Sequence, residues 1–464
     1  MRLQTLRCDA RLSRELNDRR KGTILVVTAM VLTALIGLLG LVIDAGQLMT
    51  AHRQTQNAAD AAATAAAMDL LTGKSNPTAI ATGTTFVQQY NGLASATVTI
   101  NIPPSSGPHI AKPNYVEAII TVSVPARFIR ALGGASTRNV TARAVAGFEG
   151  VTSGEGVIAL DPTIRPGISV GGGGSLKVNG GVIDNSEGGG VDQNGNPINN
   201  GGTGYAASTA NNSTLMATNM QVVGGVNNPA NFKNYDTTSS LNPLHTGQMI
   251  QPDPLLYLPT PTAANGADTT NRGSVSVSGN QVRTLLPGVY SSISITGGTT
   301  TFSPGIYILT GGNTNTLKLN GGTVNGTGVM FYNTGSDFNV NTGLPDSADF
   351  ATAPPASGNA SFGGIAITTT VNLTAYNNPA SPFNGMLIYQ RRRNTEPLKI
   401  SGNAGAGLLA GTIYSKWALN SITGQGTYNA QFIVGSMAVI GNGTVTINYA
   451  GQNLGKGYEV FLVE

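Results

Sequence analysis

A chain of 464 residues with only 10% charged and 6% aromatic side chains does not have an ordinary globular surface, where about a quarter of residues are charged. The formal net charge of +4 is carried by the first 21 residues, which hold seven basic and three acidic side chains. The remainder is near neutral and offers no basic footprint for nucleic acid. Cys8, the single cysteine, excludes an intrachain disulfide, and 62 glycines with abundant Asn, Thr and Ser argue against a cytosolic enzyme.

Residues 1–21 read as a short basic tail. From Thr23 to Ile43 there is no charge, and a run of that length spans a bilayer as one helix. Thr23, Ile24, Leu25, Leu38, Leu39, Leu41, Val42 and Ile43 mark its two ends as the membrane anchor. Basic residues crowd the N-terminal flank, so the tail is expected in the cytoplasm and the rest of the chain outside. A cleavable secretory signal is the competing reading. The apolar run is longer than a typical signal core, and Asp44 precedes the small residues Ala45 and Gly46.

Beyond Ile43 the segment stays helical by propensity. It is rich in alanine and free of proline as far as Asn76. Two readings of the alanines stand: a helix with little side chain to pack, or a close-packing surface that lets a second helix approach. The order of basic residues, apolar span, Asp44-Ala-Gly46, then Gln56-Asn57-Ala58-Ala59-Asp60 and further alanines resembles the N-terminal module of TadE/TadG-like proteins of Flp (Tad) pilus assembly. The resemblance covers roughly residues 20 to 70. It implies a bacterial inner-membrane protein, single-pass, with a periplasmic or extracellular domain tied to pilus biogenesis or surface attachment. Two departures limit it. Val27 stands where prepilins carry Glu after a Gly such as Gly22, and the Asp-x-Ser-x-Ser metal motif of some relatives is missing.

Gly73 and Asn76-Pro77 break the helix, and a second is expected from Thr78 to Tyr90. Strands follow at Ala96–Ile102, Val116–Val124 and Arg138–Phe148, closing a small α+β unit over residues 72–148. Arg127, Arg130, Arg138 and Arg143 gather there by sequence and read as solvated or locally paired.

After Glu149 the character changes. Leu286-Pro-Gly-Val-Tyr290 returns as Ser303-Pro-Gly-Ile-Tyr307, an internal repeat offset by 17 residues, and looser echoes follow to Thr444–Ile447. Short apolar strands recurring between Gly and Asn corners indicate stacked rungs. The expected fold class of residues 150–464 is therefore an all-β right-handed parallel β-helix, with an antiparallel sandwich as the alternative. Residues 187–270 and 341–360 break the rhythm. The first reads as a loop-rich insertion carrying few strands.

Chemistry is sparse. Asp337, Asp346 and Asp349 form the tightest acidic group and read as solvated loop acids. His52, His109 and His245 show no metal-ligand spacing. Asp192-Gln-Asn-Gly-Asn196 opens like a calcium loop, but Pro197 and Thr203 stand where Gly and Glu belong. No cofactor is expected. Arg391-Arg392-Arg393 reads as an exposed loop or as a patch for an anionic ligand such as cell-wall or surface glycan. The expected role is non-enzymatic: a membrane-anchored pilus-assembly or attachment component, touching lipid through residues 23–43 and other envelope proteins beyond. A polysaccharide-active enzyme and a glycan-binding module are the alternatives. Removing residues 1–71 is expected to release a soluble domain.

Overall fold

The computed structural model describes residues 5–131, 133–198, 203–210, 212–312, 315–344, 362–402 and 407–464, with side chains from residue 24 on, residue 131 excepted. The chain forms two compact units: residues 1–149 with 459–464, and residues 150–458.

The first unit begins with α1 (Thr5–Leu71), 67 residues long. The stretch from Ile24 is long and apolar enough to cross a membrane. Its apolar side chains face outward, with Leu25 72% and Val42 66% exposed. The hydroxyls of Thr28 and Thr33 donate back to the carbonyls of Ile24 and Ala29, which leaves no side-chain donor unpaired there. Past Thr55 the character inverts. Ala58, Ala59, Ala62, Ala63, Ala66 and Ala67 are fully buried. They form one core with Val87, Ile100, Val116, Ala118 and Ile120.

That core is closed by α2 (Asn76–Thr85), which continues through a π turn to Tyr90, and by an antiparallel sheet. β1 (Thr97–Asn101), β2 (Tyr115–Pro125) and β3 (Thr137–Val151) pair in order. A fourth strand, Gly457–Leu462, completes the sheet beside β3 from the other end of the sequence. The unit is thus not closed by the strand ending near Phe148. Of the two readings of the alanines, the structure realises the close approach. A Cβ at Gly83 of α2 would lie 2.5 Å from Ile100 and 3.1 Å from the Ala62 carbonyl, so small residues on both helices set the separation.

Among the described residues of the second unit, every strand pairs in parallel with its neighbours, apart from isolated antiparallel bridges at Val191. Glu155–Ala159, Ile168–Gly171 and Ser175–Val178 form one turn, and Gly181–Asp184, Ala207–Thr209 and Thr214–Ala217 stack on them, with one register shift between Glu155 and Val157. Asn219–Val222, Phe232–Asn234 and Leu244–His245 carry the stack onward. These strands lie inside 187–270, so that stretch is not mainly an insertion. Their shortness hid them: strands of two to four residues between turns leave almost no alternation to read.

The order of turns is displaced relative to the sequence. Strand Gly426–Ile440 pairs with Glu155–Ala159 and Ile168–Gly171, and Thr444–Ile447 pairs with Ser175–Val178. The turns built from 271 onward therefore precede those built from 155 to 245. The chain starts mid-stack, runs to one end, and crosses back along 246–270 to begin again at the other end with Asn271–Val277. The crossing segment lies on the stack. Leu255 and Leu258 are buried in one cluster with Ile183, Ile158, Ile433, Tyr414, Tyr389, Tyr332 and Ile308, side chains drawn from successive turns. The main interior cluster runs separately, from Val157 to Leu454.

The repeated Pro-Gly-x-Tyr corner has a physical reason. Tyr290 donates to the Leu286 carbonyl at 2.6 Å, and Tyr307 donates to the Ser303 carbonyl at 2.8 Å. Their rings stack at 5.9 Å. Gly288 and Gly305 sit at φ +149° and +142°, a region that disfavours any Cβ. Strand pairing nonetheless couples Gly288 to Tyr307, so register and sequence repeat differ by two residues.

Candidate functional site at the Asp44 contact

Asp44 is the first acid after the apolar run, and it is 2% exposed. A buried carboxylate must be satisfied or it is costly. Here its Oδ1 accepts from the Arg127 amide at 3.2 Å, and its Oδ2 accepts from the amides of Phe128 at 2.9 Å and Ile129 at 2.8 Å. These amides open α3 (Phe128–Ala131), whose first N–H groups have no intrahelical partner. The carboxylate therefore serves as a cap supplied from 83 or more residues away. Phe128 then lies over Gly40, where a Cβ would meet its ring at 2.5 Å.

The other motif positions divide by role. Gln56 Nε2 donates to Asp60 Oδ1 at 2.7 Å and to the Arg143 carbonyl at 3.2 Å, joining the helix to β3. Ala58 and Ala59 lie against the sheet. Asn57 is exposed, and nothing in the structure explains Gly46, which has open space around it. Of the anchor positions, Ile24, Leu25, Leu38, Leu39, Leu41, Val42 and Ile43 are exposed, and the side chain of Thr23 lies outside the described residues. At the far end of α1, Asp69 accepts from Lys74 at 2.8 Å and from Thr82 at 2.6 Å, fixing the turn into α2.

Glu117 is the second buried acid of this unit. Burial alone would raise its pKa. Donation from Ser105, Ser106, Asn101 and Arg143 outweighs that and holds the carboxylate well below its usual range. Arg143 also pairs with Glu464, so one arginine ties the fourth strand to β2. This arginine is paired, as one of the two readings had it, but not locally: Glu117 lies 26 residues away. Its partner at position 464 was out of reach of any local pattern.

Replacing Asp44 with Ala removes one acceptor from three amides. The expected result is amide exchange at Phe128 and Ile129 about 10-fold or more faster in detergent micelles, with the alanine core still protected.

In the second unit the arginine run is neither an exposed loop nor an open anionic patch. Arg391 and Arg392 are buried, and only Arg393 is exposed. Arg391 Nη1 donates to Asp337 Oδ1 at 2.7 Å. Arg392 donates to the carbonyls of Leu255 at 2.7 Å and Leu258 at 3.0 Å, and its Nε donates to the Tyr414 hydroxyl at 3.0 Å. That hydroxyl donates to Asp253 Oδ2 at 2.7 Å, and Lys416 Nζ lies 3.3 Å from the same oxygen. The charges hold the crossing segment on the stack. Burial pushes the Tyr414 phenol well up, so it stays a donor.

Of the loop acids, Asp337 is paired with Arg391 rather than solvated alone, and Asp346 and Asp349 lie outside the described residues. Asp192 accepts from Asn194 and Asn196 within its own turn. Among the described residues no cluster of three or more metal-ligating side chains occurs.

Residues 22–69 match the family model described as "Putative Flp pilus-assembly TadE/G-like". No curated protein matches the chain. Among solved structures, the competence-associated pilin ComZ from Thermus thermophilus aligns at 10% identity over 80% of this chain and 84% of its own, with a TM-score of 0.20, too low to define a shared fold.

Proposed function

We propose that the chain is a non-enzymatic, membrane-anchored component of Tad/Flp-type pilus assembly or surface attachment. The observation that carries this reading is the match of residues 22–69 to the TadE/G-like family model, over a helix whose first half exposes its apolar side chains and whose second half is a core element. In this reading residues 1–21 lie in the cytoplasm of a bacterium, residues 22–43 cross the inner membrane, and both units are extracytoplasmic. The basic tail favours that orientation.

We read the second unit as a right-handed parallel β-helix acting as a stalk or adhesive surface. Parallel pairing turn upon turn supports it. A charge-poor exterior suits contact with other envelope proteins or with neutral surface glycan. Topology is tested by protease added to spheroplasts expressing the full chain. The expected outcome is loss of an epitope at the C-terminus with a tag at the N-terminus protected; the reverse pattern would invert the orientation.

A further inference from the structure

We infer that the membrane-facing end of the first unit binds anionic phospholipid headgroups through Arg127, Arg130, Arg53 and Arg138; this rests on the reading that the helix crosses the bilayer. Twenty residues from Ile24 to Ile43 rise about 30 Å, the thickness of the hydrocarbon layer. The Asp44 contact and the Phe128–Gly40 contact then fix α3 at the level where that layer ends. Phe128 is 38% exposed, an apolar ring set against the last turn of the span. Arg127 and Arg130 flank it, both exposed.

Beside the helix, an open groove of about 700 Å³ is lined by Leu48, Met49, His52, Arg53 and Arg138. Helical side chains tilt toward the N-terminus, here toward the bilayer, and a long arginine reaches back to its surface. The acid beside α3 is Asp44, whose oxygens accept from three amides and which Arg127 faces by charge without an ion-pair contact. Among the described residues, no carboxylate lies within ion-pair distance of Arg53, Arg127, Arg130 or Arg138. From residue 118 to 148 the charged side chains are four arginines without an acid. An apolar edge under a cationic collar, continuous with the span, is complementary to a lipid with an anionic headgroup.

The test is reconstitution of the full chain into vesicles of mixed phosphatidylcholine and phosphatidylglycerol. Mild detergent extraction and native mass spectrometry of the retained lipid follow. Phosphatidylglycerol is expected to be enriched several-fold over its share of the vesicle. Arg127→Gln and Arg130→Gln should each lower the enrichment about fivefold, and a high-salt wash of the unaltered chain should lower it too. Equal retention of both lipids, or enrichment indifferent to the substitutions and to salt, would overturn the inference. Alkaline extraction of the same vesicles separates the two levels. A chain that leaves the bilayer removes the membrane reading and this inference with it, whereas a chain that stays without lipid preference removes this inference alone.

Discussion

Arg392→Ala is expected to destabilise the second unit by about 3–5 kcal/mol, the usual result of removing one partner from a buried charged network. The guanidinium binds two carbonyls of the crossing segment and the Tyr414 hydroxyl. Its loss takes the charged donor from both carbonyls, leaving Leu255 with the Leu258 amide and Leu258 with the Tyr389 hydroxyl at 3.4 Å, and leaves Lys416 beside Asp253 without the second cation. Trp417 is the only tryptophan in the chain and is buried in this unit, so its fluorescence during guanidinium unfolding follows the second unit alone. A midpoint unchanged from the parent chain would mean that the crossing segment is held by Leu255 and Leu258 packing without the arginine.

The second expected effect has the opposite sign. Asp184 is fully buried, and burial pushes its carboxyl up to about 8 against donation from the amides of Ser186 and Ile168. Its Oδ2 meets no hydrogen-bond donor among the described residues. Gly167 permits the crowding, since a Cβ there would lie 2.1 Å from Asp184 Oδ1. The unfolded chain releases this proton near pH 4, while the folded chain keeps it until about 8. The contribution of Asp184 to stability is therefore greatest below pH 4, falls as pH rises through that window, and is flat above it. Asp184→Asn keeps the Oδ1 acceptor and removes the titration. It should raise stability at pH 8 by on the order of 3–5 kcal/mol, at about 1.4 kcal/mol per pKa unit, and leave stability near pH 4 almost unchanged. The same tryptophan signal, read across pH, checks both halves.

How much of this was legible in the sequence depends on the range of the interaction. The apolar run, the alanine face and β1 to β3 are local patterns, and the strands appear within one to three residues of where alternation placed them. The TadE/G-like motif was readable because its residues are contiguous, but not its mechanics. That Asp44 caps α3 follows only once residues 127–129 are folded beside it. The displaced order of turns and the strand returned from residue 457 are pairings between distant segments, on which no local period bears. The arginine run misled for a different reason. A cluster of like charge usually faces water, and the carbonyls and Asp337 that offset the burial of Arg391 and Arg392 lie 54 to 137 residues away.

The structure also corrects how the anchor must be tested. Residues 58–67 form the core of the first unit, so removing residues 1–71 would strip that core along with the span. Removing residues 1–43 keeps it. The most direct measurement is therefore alkaline carbonate extraction of membranes bearing the full chain and, in parallel, the chain lacking residues 1–43. The full chain is expected in the pellet and the shortened chain in the soluble fraction, folded, with Trp417 still buried. A full chain released by carbonate, or a shortened chain that stays with the membrane, would contradict it.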